Sequence, residues 1–340
     1  MRLVVAYTPA GPDAAPQDAD GVRQGEFVCR VLSQRGFECT RVPFSLDLRE
    51  TRERIEAFAP DCVFNLVESV EGSDRLILLA PLLCEAMKLP YTGAPLEGLM
   101  LTTNKVVAKR TLRGAGISTP DWRRRSRASL DGALGLASDP GAVIVKSVWD
   151  HGSAGITGSS VHENVSCARL TTLLPDTGDV FAERFVSGRE FNLSLLAGDD
   201  GVDVLPPAEI VFAGEWGARP RIVCHDAKWS NDSFEARGTP RRFDFPTSDG
   251  SLLRRLREAA TECWVLFGLG GYARVDFRVD DRGRPWVLEV NANPCLSPDA
   301  GFMAAARRAG LSPGDVLARI LHDATCTPRA RAGASAPPSG

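Results

Sequence analysis

The sequence predicts an α/β protein in which a parallel-sheet unit is followed by units with antiparallel strands. In the first hundred residues, short apolar runs at 3–7 and 63–67 are separated by segments of helical spacing at 22–35 and 49–59. This repeated β-α-β order is typical of a parallel sheet covered by helices. Near the end, residues 270–297 alternate apolar and polar side chains on both sides of a turn, which predicts a β-hairpin.

Shorter signals complete the N-terminal unit. Residues 38–42 are expected to be a second strand, 77–87 a further helix, and 90–93 a strand ending in a turn. The stretch 9–20, rich in proline and alanine, is expected to be a loop. No G-x-G-x-x-G follows the first strand, so the dinucleotide-binding pattern found in many such sheets is absent from this sequence.

A new unit begins near Pro95. Thr102, Thr103 or Asn104 is expected to cap a helix that runs to Arg113, because short polar side chains satisfy the free N–H groups of a helix start. The later elements, in chain order, are a strand at 142–146, two strands at 180–185 and 191–197 expected to pair with each other, a polar loop at 224–240, a helix at 252–266, the hairpin, and two helices starting at Ser297-Pro298 and Ser312-Pro313.

These elements divide the chain into an N-terminal parallel domain (1–100), a small central lobe (101–186) and a C-terminal antiparallel lobe (187–324). Residues 325–340, rich in Pro, Ala, Gly and Arg, are expected to form a disordered tail. A chain of 340 residues is long enough for two or three units with cores of their own.

Composition excludes several classes of protein. The net charge of −3 argues against a dedicated nucleic-acid binder, and the arginine cluster at 123–127 is expected to be a solvated edge, with phosphate steering as the alternative. No apolar run approaches the length of a membrane span. The nine cysteines include no C-x-x-C pair, which favours reduced thiols and a cytoplasmic location.

The hairpin at 270–297 carries the strongest functional signal. Because side chains alternate faces along a strand, a turn centred on residues 282–283 places Asp276 opposite Glu289 and Arg274 opposite Asn291. Facing carboxylates repel unless a cation lies between them. Two carboxylates and an amide oxygen suit a divalent ion such as Mg²⁺ that is also bound by phosphate oxygens. The alternative is a solvated acidic face.

Four weaker signals lie upstream of the hairpin. Lys146 precedes a loop with Gly152, Ser153 and Gly155, and such glycines let backbone N–H groups approach a phosphate, although a plain turn is equally consistent. Lys105, near the start of its helix, is a second candidate phosphate contact.

Downstream of this loop, the strand that ends near residue 185 leads into a hinge that would offer backbone groups to a purine edge, with Glu190 accepting from ribose hydroxyls. Lys228 is a candidate phosphate contact in a loop that closes over the site. An exposed strand end and a surface lysine are the simpler interpretations of these two features.

The order of these segments resembles the ATP-grasp superfamily, and most closely the D-alanine–D-alanine ligases. The resemblance covers roughly residues 60–322. Its specific parts are PYTGAP before TTNK, then ERFVSGREFNLSLL, and finally RVDFRVDDRGRPWVLEVNANPCLS followed by a helix and AGLSPGDVLARIL. It implies an ATP-grasp fold: an N-terminal parallel-sheet domain, a small central lobe and a C-terminal antiparallel lobe.

The resemblance also implies roles for individual residues and a set of cofactors. ATP would be bound by Lys105, Lys146, Gly152, Gly155, Glu183, Val186 and Glu190, one or two Mg²⁺ or Mn²⁺ ions by Asp276, Glu289 and Asn291, and the reacting groups by Arg274, Lys228 and Ser153. The implied activity is an ATP-dependent ligase, ADP-forming, that joins a carboxylate to an amine through an acyl phosphate. Many relatives are homodimers, so a homodimer is expected.

The sequence departs from the family where the amino-acid substrates bind. The family's His-Gly after the third strand is replaced by Glu68-Ser69, and Trp229 replaces a tyrosine. Amino acids other than D-alanine are therefore expected as substrates. Glu68, Glu71 and Asp74 suggest a cationic or amine-bearing one, although a surface acidic loop is equally consistent. The alternatives are a ligase of the glutathione-synthetase or natural-product tailoring type, and a non-catalytic ATP-binding protein.

Overall fold

Among the residues that it describes, the computed structural model has three sheets, in chain order one parallel and two antiparallel. Within the part of the chain that it describes, no helix combines the length and the apolar character needed to cross a membrane. Arg127 and the predicted tail beyond Cys326 lie outside the described residues, which are 1–11, 16–126, 129–132, 134, 138, 140–217, 219–230 and 232–326.

The N-terminal sheet is parallel, as the β-α-β rhythm predicts, with strand order β2-β1-β3. Its strands are β1 (Arg2–Tyr7), β2 (Glu38–Pro43) and β3 (Cys62–Leu66), and its helices are α1 (Pro16–Gln34), α2 (Leu48–Phe58) and α3 (Leu79–Ala86). The predicted loop at 9–20 is wrong at its end, because α1 begins at Pro16. A proline is compatible with a first helical turn, where its missing N–H has no partner to lose.

Two helices, α4 (Leu96–Thr103) and α5 (Lys105–Gly114), lead into the second sheet. Asn104 caps α5, as one of the predicted alternatives, and its side chain accepts bonds from the N–H groups of Val106 and Val107. The antiparallel sheet that follows has the order β5-β4-β8-β6-β7. Its elements are β4 (Trp122–Ser126), β5 (Ser129–Asp131), β6 (Gly141–Ser147), β7 (Val161–Val165), α6 (Cys167–Leu173) and β8 (Thr177–Arg184).

The third sheet has the order β12-β11-β9-β13-β14, with β10 paired to β9. Its elements are β9 (Arg189–Gly198), β10 (Gly201–Val204), β11 (Ala208–Ile210), α7 (His225–Trp229), α8 (Phe234–Arg237), β12 (Arg241–Arg242), α9 (Gly250–Leu266), β13 (Tyr272–Val279), β14 (Pro285–Asn291), α10 (Gly301–Arg308) and α11 (Pro313–Cys326). The predicted polar loop at 224–240 thus contains two short helices.

The predicted pairing of 180–185 with 191–197 is wrong. The strand β8 pairs with β4 and β6, whereas β9 pairs with β10, β11 and β13 in the other sheet. Adjacent strands usually pair through a tight turn, but here the short connection at 185–188 passes from one lobe to the other. The connection therefore joins an interior strand of the second sheet to an interior strand of the third.

The hairpin of β13 and β14 has the predicted register. Asp276 lies opposite Glu289 and Arg274 lies opposite Asn291. The register shifts after Asp276, so that Phe277 pairs with Val287. Alternation along the two strands predicts that Val275, Phe277, Leu288 and Val290 form the core face of the hairpin. For Leu288 this is wrong, because the bulge turns it toward a cleft and buries Val287 instead.

Packing connects the ends of the chain. One core joins Leu3 and Phe64 of the parallel sheet to Leu317 of α11, and a second joins Leu99 and Leu112 to the third sheet. The last two helices differ in part from expectation: α10 starts at Gly301 rather than after Ser297, while α11 starts at Pro313 as predicted but continues to Cys326, past the predicted start of the tail at 325. The predicted domain limits remain a proposal for this arrangement.

Candidate functional site

A cleft between the second and third sheets brings together most of the residues singled out from the sequence. Gly152, Gly155, Arg274 and Asn291 lie outside its immediate lining. The lining includes Lys105, Lys146, Ser153, Glu183, Val186, Glu190, Lys228, Asp276 and Glu289. These nine positions come from nine different elements and loops, so the cleft depends on how the two lobes are placed against each other.

The glycine loop adopts the backbone conformation that its glycines allow. Gly152 and Gly155 have φ values of 66° and 69°, and Ser153 between them has a φ of 64°, which is uncommon for a residue with a Cβ. The Ser153 hydroxyl donates to the carbonyl of Val223 at 2.8 Å, and the Trp229 indole donates to the carbonyl of Gly152 at 3.2 Å. The loop is thereby held by the segment that carries Lys228.

Lys105 lies within a network that surrounds Glu289. Its ammonium donates to the carbonyl of Asp150 at 2.5 Å and is 3.7 Å from the Glu289 carboxylate. The imidazole Nδ1 of His151 lies 2.6 Å from the same carboxylate. The backbone N–H of His151 donates to the Asp74 carboxylate. Burial alone would raise the pKa of Glu289, but Lys105 and His151 lower it well below its usual value. Sequence reasoning did not single out His151 as a site residue.

Lys146 belongs to a buried triad with Glu183 and Lys109. The Lys109 ammonium is 2.6 Å from the Glu183 carboxylate, both side chains are 1% exposed, and Lys146 contacts the other Glu183 oxygen. Burial raises the pKa of Glu183, but the two lysines more than offset this and lower it. Lys109 was missed from the sequence, although a lysine one helical turn after Lys105, among apolar residues, was an available signal.

The connection between β8 and β9 carries Val186 and Glu190 along the cleft. Glu190 is paired with the Arg278 guanidinium at 2.7 Å, and Arg278, only 4% exposed, also donates to the carbonyl of Gly188. Gly188 has a φ of 125°, and a Cβ there would lie 2.1 Å from the carbonyl oxygen of Val279. The close approach of the connection to β13 therefore requires glycine.

The polar face of the hairpin carries oxygen atoms of the kind that bind a divalent ion. Arg274 donates two bonds to Asp276, at 2.7 and 2.8 Å, and Asn192 of β9 donates a third at 2.8 Å. Asp276 and Glu289 face each other across the ladder, and the Asn291 side-chain oxygen is two residues from Glu289 on the same strand. No cluster of three His, Cys, Asp or Glu side chains suited to a metal occurs in the described segments. Two carboxylates and one amide oxygen nevertheless fit Mg²⁺ that takes its other ligands from phosphate.

Lys228 is an exposed side chain on the short helix α7 and lines the cleft. The segment around it packs through Ile222, Cys224 and Ala227 against Ile144 of β6. This apolar contact covers one side of the cleft, and it explains how a polar stretch of sequence is held in place over the site.

A parallel domain followed by two antiparallel sheets, with a lysine-lined cleft between the two sheets, is the architecture of the ATP-grasp class. Residues 118–322 match the family model described as "D-ala D-ala ligase C-terminus", and the chain belongs to that family. This confirms the resemblance seen in the sequence.

The relatives and solved structures agree with this assignment. A D-alanine–D-alanine ligase of Synechococcus sp. (strain JA-3-3Ab) is 32% identical over 242 residues, which cover 71% of this chain and 70% of that protein. The uncharacterized protein y4sG of Sinorhizobium fredii is 29% identical over 92% of this chain and 89% of its own length. A structure of D-alanine–D-alanine ligase from Bacillus anthracis, 21% identical, superposes with a TM-score of 0.74 over 95% of this chain and 97% of that one. This last similarity concerns the fold.

Proposed function

We propose that this protein is an ATP-dependent, ADP-forming ligase that joins a small-molecule carboxylate to an amine, both from amino acids, through an acyl phosphate. The observation that carries the proposal is the single cleft in which Lys105, Lys146 and the hairpin carboxylates Asp276 and Glu289 meet. Positive side chains and a divalent-ion site facing each other across a cleft are what the polyphosphate of ATP requires. Family membership supports the same activity.

In this proposal the nucleotide lies between the two sheets. Lys105 and Lys146 neutralise its phosphates, and the N–H groups of the loop at Gly152 and Gly155 approach them. Glu183 orients Lys146, Val186 contacts the purine from the connection between the lobes, and Glu190 is available to the ribose. Lys228 provides a further phosphate contact from the covering segment.

Asp276, Glu289 and Asn291 are the proposed ligands of one or two Mg²⁺ or Mn²⁺ ions. A divalent ion supplies charge neutralisation of the phosphates there. Asp276 already binds Arg274 and Asn192, so its carboxylate is held in a fixed orientation. Glu289 is held in the same way by Lys105 and His151. Lys105 and His151 lower the pKa of Glu289, which favours the ionised form that a metal ligand must have.

The chemistry requires positioning and charge more than covalent help from the protein. A substrate carboxylate attacks the γ-phosphorus, ADP leaves, and the amine then attacks the acyl carbon with loss of phosphate. Arg274, beside the hairpin carboxylates, would stabilise the oxyanion formed in that second step. Ser153, on the glycine loop, is the third residue that we assign to the reacting groups, where its hydroxyl fixes the covering segment.

The proposal is tested by measuring ADP release with a panel of D- and L-amino acids, including D-alanine, as acid and amine. Asp276→Asn and Glu289→Gln should each lower the rate by at least about 10²-fold, because each removes a charge from the phosphate site. Asp281→Asn, at the exposed tip of the same hairpin, is the control and should leave the rate unchanged. Undiminished turnover in the first two variants would contradict the assignment of the metal site.

The identity of the amide product tests the substrate part of the proposal. We propose amino acids other than D-alanine, because Glu68-Ser69 and Trp229 replace the residues that, by the resemblance, contact the two D-alanines in the family. Release of ADP with D-alanine alone and formation of D-alanyl-D-alanine would contradict that part while leaving the ligase activity in place. A protein that binds ATP but releases no ADP with any pair would instead be a non-catalytic binding protein.

A further inference from the structure

The amide of Gln24 has only one possible orientation. Gln24 lies on α1 and is 1% exposed, and its side-chain oxygen accepts a bond from the N–H of Leu296 at 2.6 Å. An N–H can bond only to the oxygen of an amide, so the Gln24 NH₂ group must point the other way. It donates at 2.8 Å to one carboxylate oxygen of Glu68, at the end of β3.

Glu68 therefore has one oxygen that is bonded and one that is available. Among the described residues, no donor bonds to its second carboxylate oxygen, Oε2. Arg274 is the nearby cation, but its guanidinium is bound to Asp276 by two hydrogen bonds. Burial, which is the main cause, raises the pKa of Glu68 to about 7, while Gln24 acts in the opposite direction. A partly buried carboxylate with an available oxygen is suited to a cation from outside the protein.

The other ionisable groups that face Glu68 are already engaged. Asp20, on α1, accepts bonds from Ser297 and from the Cys295 thiol, each at 3.0 Å, and Asp74 accepts the N–H of His151. Both acids raise the pKa of Glu68 further. On the hairpin side, burial and then the Glu68 carboxyl raise the pKa values of Tyr272 and Cys295, so these groups stay neutral. Asp74 also has a second oxygen, but the cations beside it are His151 and Lys105, whereas Glu68 combines an available oxygen with a position near Arg274, the residue assigned to the acyl carbon.

We infer that Glu68 binds the ammonium group of the amine substrate and removes its proton before the amine attacks. The inference rests on the ligase function proposed above. An ammonium has no lone pair, so it must lose a proton to become a nucleophile. One proton passes to Glu68, and the nitrogen lone pair forms the C–N bond as the acyl–phosphate bond breaks. The second proton lost by the nitrogen leaves on the phosphate, and Glu68 returns its own proton to water.

The test distinguishes formation of the acyl phosphate from the later attack of the amine by replacing the amine with a different nucleophile. Hydroxylamine is uncharged at neutral pH and captures an acyl phosphate as a hydroxamate without needing a base. Hydroxamate and amide formation are measured for the wild-type protein, Glu68→Gln and the control Glu97→Gln, with the acid and amine chosen from the amino-acid panel. Glu97 is exposed, lies on α4 and has no assigned role in binding ATP, metal or substrate.

In Glu68→Gln we expect amide formation to fall by about 10²–10⁴-fold, the usual contribution of a general base, and hydroxamate formation to stay within about threefold of wild type. Glu97→Gln should change neither. Unchanged amide formation in Glu68→Gln, or equal loss of both reactions in a variant that circular dichroism shows to be folded, overturns the inference. A wild-type protein that forms neither product refutes the ligase activity itself, and the inference with it.

The pH dependence of the wild-type protein is an independent measurement that does not require a variant to fold. With Glu68 as base, the ratio of amide to hydroxamate rises with pH to about 7, where Glu68 becomes ionised, and is then level until the amine itself titrates. Without a base, the ratio of amide to hydroxamate follows the fraction of the amine substrate that is unprotonated. It then continues to rise roughly tenfold per pH unit above pH 7. A continued rise in the wild-type protein overturns the inference.

Discussion

Replacing Glu183 by glutamine should destabilise the central lobe far more than an isosteric change usually does. The substitution keeps the shape of the side chain, so it creates no cavity. It leaves the ammonium groups of Lys109 and Lys146 facing each other with no negative charge between them. Lys109 is 1% exposed and cannot turn toward water.

The magnitude follows from the burial of the pair. Removing one partner of a buried ion pair costs about 3–5 kcal/mol, because the remaining charge stays in a poorly solvated place. Lys109→Met should cost less, about 1–3 kcal/mol, since Glu183 keeps Lys146 and the main loss is the bond from Lys109 to Thr119. The double variant Lys109→Met/Glu183→Gln should therefore be more stable than Glu183→Gln alone.

Urea unfolding followed by circular dichroism measures these free energies. Glu163→Gln, an exposed position on β7 of the same sheet, is the matched control and should lie within about 0.5 kcal/mol of wild type. The pH dependence adds a second readout. The lowered pKa of Glu183 means that its stabilising effect is complete above its usual value of 4.5 and is lost as the pH falls through the lower folded value. A Glu183→Gln protein within about 1 kcal/mol of wild type, or strict additivity in the double variant, would refute the reasoning.

Two further predictions concern the backbone. Gly188→Ala should destabilise the protein and weaken binding of an ATP analogue more than Gly201→Ala does. Both glycines have φ near 125°, but only a Cβ at 188 would meet a carbonyl oxygen, at 2.1 Å. Equal effects of the two substitutions in urea unfolding and in nucleotide titration would contradict the argument from close approach. Asn104→Ala should cost about 1 kcal/mol by removing the cap of α5, and an unchanged urea midpoint would show that the cap contributes nothing.

Much of the candidate site could be predicted because its strongest part is local. The register that places Asp276 opposite Glu289 depends on the turn and on alternation along two adjoining strands, which are both readable from the sequence. The bulge that moves Leu288 to the cleft was not readable, because it depends on how β14 packs. His151 and Lys109 were missed for a similar reason: each acts on a carboxylate far away along the chain.

The amino-acid sequence alone determined the parallel N-terminal sheet, the hairpin with its facing carboxylates and the family to which the chain belongs, since periodicity, turn residues and motif order are properties of short segments. The tertiary structure decided that β8 and β9 lie in different sheets, that two lysines share Glu183, and that Gln24 leaves one oxygen of Glu68 available. These features depend on which distant side chains share a poorly solvated space. The energies of such charges and hydrogen bonds are set by neighbours that no short stretch of sequence contains.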